Sequence, residues 1–350
     1  MKLRITLTLL ALTGITLNWR IENCSAQDIH FSQFYNSPLI LNPALTGVFN
    51  GNIRVQTNYR SQWASIQNPY KTLAAAFDMG LLKNNKTAFL GLGVSVFNDK
   101  AGDSKMGLTQ AALSLSGNVS MDKNNILSAG LQGCFSQRSL SYTDLRWDNQ
   151  YDASLGGYSS GKASGETGSS EKFSYADFSA GINWNYGSGE LNSKSNDAIR
   201  INAGAALYHL NQPKQLFYDI TNEKLYSKMV FHGGALIGIK HTEISLVPAF
   251  LLFKQGNTQE LTVGTAVKYR LSGGSKGSTG SAISLGGYYR MGDAIIITTQ
   301  IEVSDFSLGL SYDINTSSLK NATGGKGGLE LSLKYIGSFG KSNKSKSRFL

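Results

Sequence analysis

The sequence predicts an all-β chain: a transmembrane antiparallel β-barrel of about 14 strands, preceded by a cleaved signal peptide. Three observations carry this. In segment after segment, residues two apart share one character and their neighbours the opposite one, the period of a strand with two different faces. These segments run to about ten to thirteen residues, whereas strands of soluble sandwiches usually stop at about five or six. Charged residues make up only 16% of the 350, alongside 39 glycines, 16 phenylalanines and 16 tyrosines. That composition excludes a disordered chain, and five prolines without heptads exclude collagen and coiled coils. Past the N-terminus no apolar run approaches the roughly 20 residues that a membrane helix needs.

The chain opens with Lys2 and Arg4, an apolar stretch from Ile5 to Leu17, and small residues at Cys24, Ser25 and Ala26. This is the pattern of a secretory signal peptide spanning residues 1–26, with cleavage after Ala26. A lipoprotein reading would use Cys24, but Ile21-Glu22-Asn23 suits it poorly. Removing Lys2, Arg4, Arg20 and Glu22 takes the formal charge from +10 to +8 and leaves Cys134 as the sole cysteine. Residues 27–51 are then expected as an N-terminal periplasmic segment, 52–340 as the barrel and 341–350 as a basic tail carrying Lys341, Lys344, Lys346 and Arg348.

Within the barrel, alternation marks segments at 52–61, 70–81, 88–98, 108–120, 125–139, 173–186 and 197–209. It continues at 229–240, 243–254, 258–271, 281–291, 294–304, 306–316 and 327–337. In the first, Ile53, Val55, Thr57 and Tyr59 alternate with Arg54, Gln56, Asn58 and Arg60. In the tenth, Leu261, Val263, Val267 and Tyr269 alternate with Thr262, Gly264, Ala266, Lys268 and Arg270. An even number of such strands suits closure, which pairs every backbone group where lipid offers no partner. With the N-terminus in the periplasm, the short connections 82–87, 121–124, 241–242 and 305 fall inside. The longer 62–69, 99–107, 140–172, 210–228 and 317–326 fall outside; 187–196, 272–280 and 292–293 are exceptions. Tyr59, Phe77, Phe97, Phe135, Trp184, Tyr186, Tyr269, Tyr289, Tyr312 and Tyr335 are assigned to the apolar faces, where rings favour the headgroup level.

The opposite faces would line the lumen with Arg54, Arg60, Arg200, His232, Lys240, Lys268, Arg270 and Arg290, joined by Asp78, Asp177, Glu302, Asp313, Glu330 and Lys334. Charges of both signs can brace a barrel interior, because an unpaired ion there is costly to desolvate. A basic lumen attracting an acidic partner segment is the functional alternative. No catalytic, metal or cofactor site is expected. Gly157-Tyr158-Ser159-Ser160-Gly161 has the letters of a hydrolase elbow but no strand-to-helix context. Gly156 to Lys162 nearly spells a phosphate loop, with Ala163 where Ser or Thr is needed. The four histidines lack metal-ligand spacing, and nucleic acid is not an expected partner of an exported barrel.

The segment from Asp28 to Gly47, DIHFSQFYNSPLILNPALTG, followed by Asn58-Tyr59-Arg60-Ser61-Gln62-Trp63, Asp99-Lys100-Ala101-Gly102, Leu308 to Asn315 and Leu329 to Leu333, resembles the PorP/SprF family of the type IX secretion system. The resemblance covers essentially the whole mature chain. It implies an outer-membrane barrel that works with secretion machinery proteins. Some members look like core components touching the periplasmic ring; others resemble accessory barrels that help export or anchor a large secreted or surface protein through its C-terminal sorting domain. Many members end in Cys-Pro-Arg-Phe, whereas this chain reads Lys346-Ser347-Arg348-Phe349-Leu350. Expected partner-binding residues are Phe31, Phe34, Tyr35, Asn42 and Pro43 of the N-terminal segment, and Trp63, Trp147, Tyr151, Phe217 and Tyr218 of the outer loops; outer-membrane lipid is the other expected partner. The competing function is a channel for small solutes, with an open lumen as its mark.

Overall fold

A computed structural model describes residues 28–65, 68–83, 85, 87–102, 104–141, 145–165, 172–189, 191–192, 195–215, 224–272, 280–338 and 349. The expected signal peptide, Phe217, Tyr218 and the expected tail except Phe349 lie outside them. Fourteen antiparallel strands close into one barrel. They are β1 (Ile53–Gln62), β2 (Tyr70–Leu81), β3 (Ala88–Ala101), β4 (Met106–Ser120), β5 (Asn125–Ser139), β6 (Lys172–Ser188) and β7 (Ile199–Tyr208). Then come β8 (Lys228–Gly238), β9 (Ile244–Gln255), β10 (Thr258–Ser272), β11 (Ser281–Arg290), β12 (Ala294–Val303), β13 (Phe306–Asn315) and β14 (Lys326–Gly337). Each strand pairs with its sequence neighbours, and β1 pairs with β14 from Ile53 opposite Gly337 to Gln62 opposite Gly328. Closure leaves no sheet edge. The sequence-based strand ends hold to within a few residues; β3 and β6 run further, to Ala101 and Ser188.

Burial is inverted relative to a soluble protein. Side chains such as Leu73, Leu115, Leu131, Phe135, Ile182, Leu285 and Leu310 stand exposed on the outer face, Leu131 at 66%. Arg60, Asp313 and Glu330 are about as buried as any leucine core, at 1–2%. Apolar surface turned outward and ions turned inward are stable together only where the outer solvent is hydrocarbon. Among the described residues no helix is long and apolar enough to cross a membrane. Strands do the crossing.

β1 begins and β14 ends at one rim, called here the start rim; the described residues of the connections after β1, β5, β7 and β13 lie at the other, the loop rim. The loop rim also carries a short ribbon in which Tyr151–Asp152 pairs with Gly157–Tyr158, an element not expected from the sequence. The hydrolase-like Gly157 to Gly161 lies in and beside this ribbon, and among the described residues before β6 no helix follows it.

Three expectations are corrected. Residues 28–49, expected within an N-terminal periplasmic segment of residues 27–51, instead lie inside the barrel as short helical turns, Phe34–Asn36, Pro38–Leu41 and Pro43–Leu45, with Phe31, Phe34, Leu39, Ala44, Leu45, Val48 and Phe49 buried. The physical reason is that the wall offers this segment both apolar surface and polar partners that would otherwise be unsatisfied. Phe97 points inward, not to lipid, because it shares parity with Ser95; it packs with Phe31 and Ala74. Lys240 is exposed in the turn after β8 rather than in the lumen, since β8 stops at Gly238.

Candidate functional site

The inner wall divides by chemistry. Across β3 to β6 it is small and polar, with Ser95, Ser114, Ser116, Asn118, Ser128, Gln132, Ser136, Ser179 and Asn183 all buried. Opposite, Ala206, Val230, Leu251, Phe253, Tyr288 and Ile296 form an apolar patch, and Phe34 sits in it. The Tyr288 ring meets Phe34 edge-on at 6.2 Å and Tyr35 at 5.9 Å between centroids. Aromatic pairs in that range add roughly 0.5–1.5 kcal/mol to the burial itself.

Polar contacts fix the segment's path. The Ser32 and Gln33 N–H groups donate to the two carboxylate oxygens of Glu330 at 2.7 and 3.0 Å. Ser332 Oγ donates to Gln33 Oε1 at 2.8 Å, and Lys334 Nζ to Asn36 Oδ1 at 3.2 Å. Asn42 Nδ2 donates to the carbonyls of Ile182 and Ala205 and lies 3.0 Å from His232 Nε2, while Asn42 Oδ1 accepts from Ala44 N–H. Tyr208 donates to the Ile40 carbonyl at 2.7 Å, and Ser116 to that of Thr46 at 2.6 Å. Gly47 N–H donates to Asp78 Oδ2 at 2.7 Å. A non-periodic segment buries its backbone groups only where they are paired, and here the wall pairs some and the segment's own turns others.

Two wall glycines make room for this. A Cβ on Gly91 would collide with the Thr46 carbonyl, and one on Gly130 with the backbone of Pro43 and Ala44. Inward-facing glycine in a long strand marks close approach of another backbone. This signal was present in the sequence.

Of the expected lumen charges, Arg54, Arg60, Lys268, Arg270 and Arg290 each meet a carboxylate, while Arg200 donates to backbone carbonyls. Arg54 makes a two-pronged bridge to Asp78, at 2.8 and 2.7 Å. Asp313 Oδ2 accepts from Arg60 Nη2 and Arg290 Nη1, both at 3.1 Å, and from Ser32 Oγ at 2.8 Å. Arg290 also faces Glu260 at 3.4 Å and Asp293 at 3.1 Å, and Arg60 donates to the His30 carbonyl. Lys268 pairs with Glu302 at 2.5 Å and Arg270 with Glu243 at 2.8 Å nearer the start rim, partly exposed. The charges therefore brace the wall and clasp the segment.

Of the expected partner-binding residues, Phe31, Phe34, Asn42 and Pro43 are buried and Tyr35 is largely covered, all against the wall. They bind this chain's own barrel, because the lumen is the apolar and hydrogen-bonding surface within reach. Trp63 and Trp147 are half-buried at the loop rim, where Trp63 meets Tyr70 edge-on at 4.9 Å. Tyr151, Leu155, Tyr158 and Tyr226 stand exposed there. Among the described residues no three His, Cys, Asp or Glu side chains converge as a metal would require.

Sequence reasoning missed His209 as part of the site. Its Nε2 lies 2.6 Å from Asp28 Oδ2 and its Nδ1 2.7 Å from Asp177 Oδ2, a carboxylate on each side. Asp28 N–H donates to Gln255 at 3.1 Å, and Lys228 approaches the Asp28 carboxylate at 3.9 Å. Burial alone would lower the His209 imidazolium, but Asp28 and Asp177 outweigh it and raise it from 6.5 to about 9. Burial likewise opposes the Asp28 carboxylate, yet His209 and Lys228 hold it below the usual range. An imidazolium favoured by the fold stabilises it fully below 6.5, and that stability is lost as pH rises through about 9. Protease access to residues 28–31 is thus expected to rise above about pH 9, and H209N should flatten the profile. An unchanged profile in that variant would remove His209 from the clasp.

Solved structures of similar course include the Ralstonia pickettii toluene transporter TbuX, at 9% identity over 86% of this chain and 93% of that one, TM-score 0.46. The Pseudomonas putida toluene transporter TodX is 9% identical over 87% and 94%, TM-score 0.48. A Pseudomonas aeruginosa FadL homologue is 11% identical over 86% and 94%, TM-score 0.46. No curated protein sequence matches the chain. The family model described as type IX secretion system membrane protein PorP/SprF matches residues 23–335. A closed barrel with a lipid-facing apolar belt fits that description from its own chemistry. This chain, an outer-membrane β-barrel of the type IX secretion system, belongs to the PorP/SprF family.

Proposed function

We propose that this barrel holds the C-terminal sorting domain of a large secreted or surface protein at its loop rim, while its start rim meets the periplasmic secretion machinery. One observation carries the reading: the lumen is filled, and the exposed apolar side chains outside the lipid belt include Tyr151, Leu155, Tyr158 and Tyr226 on the two long loop-rim connections. Exposed aromatic clusters on loops above a rigid scaffold mark binding surfaces. A filled lumen counts against a diffusion channel, because solute would have to displace Phe34 and its hydrogen-bonded neighbours.

Export would follow cleavage after Ala26, which makes Gln27 the first residue, one position before Asp28 of the Asp28–His209 pair. The inward charges then serve to keep the interior closed, leaving recognition to the rim. Replacing residues 145–165 by a short Gly-Ser linker is expected to spare barrel assembly, read as heat-modifiable gel mobility. Surface retention of the partner protein should fall by about tenfold or more, since a few buried aromatics dominate such contacts. Wild-type partner localisation in that variant would sink the reading.

A further inference from the structure

The start rim contains a second built feature. Phe49, where residues 28–49 leave the lumen, is buried, and Phe89 at the start of β3 turns inward beside it. Lys83, from the connection between β2 and β3, lies over the Phe49 ring at 3.8 Å from its centroid. It also donates to the carbonyls of Phe49 at 2.9 Å and Gly51 at 2.7 Å. The recess these groups form is occupied. Phe349 meets the Phe89 ring edge-on at 6.3 Å, and its ring centroid lies 5.9 Å from Lys83 Nζ.

The backbone of Phe349 is held independently of its ring. Asn50 Nδ2 donates to the Phe349 carbonyl at 2.9 Å, and Asn50 Oδ1 accepts from the Phe349 N–H at 3.4 Å. A side-chain amide presents one donor and one acceptor side by side, so it pairs with a single residue of extended chain as a neighbouring strand would. The rings and ammonium supply what the amide cannot, a preference for an aromatic side chain. Two unlike contacts therefore converge on one residue, 299 positions away from Asn50 in sequence.

We propose that Phe49, Asn50, Lys83 and Phe89 form a peptide-binding site at the start rim, specific for an aromatic residue in an extended segment, and that Phe349 of this chain is its occupant. Because Lys83 also ties together the carbonyls on either side of Asn50, an occupied site steadies the point at which the N-terminal segment exits the lumen. The site joins the chain just ahead of β1 to a residue beyond β14. The basic residues Lys341, Lys344, Lys346 and Arg348 precede Phe349 in sequence.

The test uses full-length protein in detergent and a fluorescent synthetic peptide of residues 341–350. The F349A barrel, whose site is vacated, should bind the peptide saturably. Wild-type barrel should bind it at least about tenfold more weakly, because the tethered segment competes at high effective concentration. A peptide with the Phe349→Ala change keeps every cation and should lose binding, and N50A added to the F349A barrel should weaken it about tenfold. Equal binding by the two peptides would mean charge attraction alone and would overturn the proposal, as would equal binding by wild-type and F349A barrels. If N50A fails to assemble, the comparison of the two peptides still decides.

Discussion

Deleting residues 30–46 is expected to turn a closed barrel into a conducting one, raising planar-bilayer conductance by about tenfold or more, since a fourteen-strand barrel without an insert is wide enough to leave an aqueous lumen. The strands should survive the deletion. Residues 28–49 contribute nothing to the ladder, in which β1 pairs with β14 and β2 and every other strand with its neighbours. What the deletion removes is Phe34 and Tyr35 from the Tyr288 patch, Asn42 from its wall carbonyls and Gln33 from Glu330. Between segment and wall in the intact protein lies a space of about 40 Å³ bordered by Ile40, Tyr208 and Lys228, large enough for water. Conductance and swelling of proteoliposomes in small sugars give the readout. Wild-type conductance in the deletion variant would mean that other residues close the pore.

Asp313→Ala should produce the largest loss of stability for a single side chain, about 3–5 kcal/mol, the cost of leaving buried ions without their partner. Arg60 and Arg290 are each 2% exposed, and Asp313 is the carboxylate that faces both. Its loss would also remove the acceptor of Ser32 Oγ, leaving that oxygen only the donation from Arg290 Nη2 at 2.7 Å, so the N-terminal segment should loosen with the wall. Urea unfolding in lipid vesicles, followed by tryptophan fluorescence, measures the first effect, and protease access to residues 28–36 the second. Glu302→Ala is the control: its partner Lys268 is partly exposed, and the loss should stay near 1 kcal/mol or below. Equal losses in the two variants would show that burial does not set the cost here.

The strands were legible because a period of two is a local property. Arg54, Gln56, Asn58 and Arg60 declare one face within seven residues, and no distant contact is needed to read it. Phe97 shows the limit, since an aromatic ring suits lipid and lumen alike and only its parity with Ser95 decides. The charges at Arg54, Arg60, Arg290, Asp313 and Glu330 were legible as inward, but their pairing was not. Ser32 meets Glu330 across 298 residues, and no local pattern specifies such a partner. His209 was passed over for the same reason, because nothing near it in sequence announces Asp28. Two signals did point to a filled lumen: inward glycines at Gly91 and Gly130, and the apolar inward residues Leu251 and Phe253 on a strand whose outer face is also apolar.

By itself, then, the order of residues determined that this chain is a closed barrel of about fourteen lipid-facing strands with ions inside, because side-chain alternation and hydrocarbon solvation act residue by residue. Only the tertiary structure decided that residues 28–49 occupy the interior, that carboxylates close on His209 from two sides and that Phe349 reaches Asn50. Each of those contacts joins groups far apart in the chain, and its free energy exists only once closure has brought them within a few ångströms.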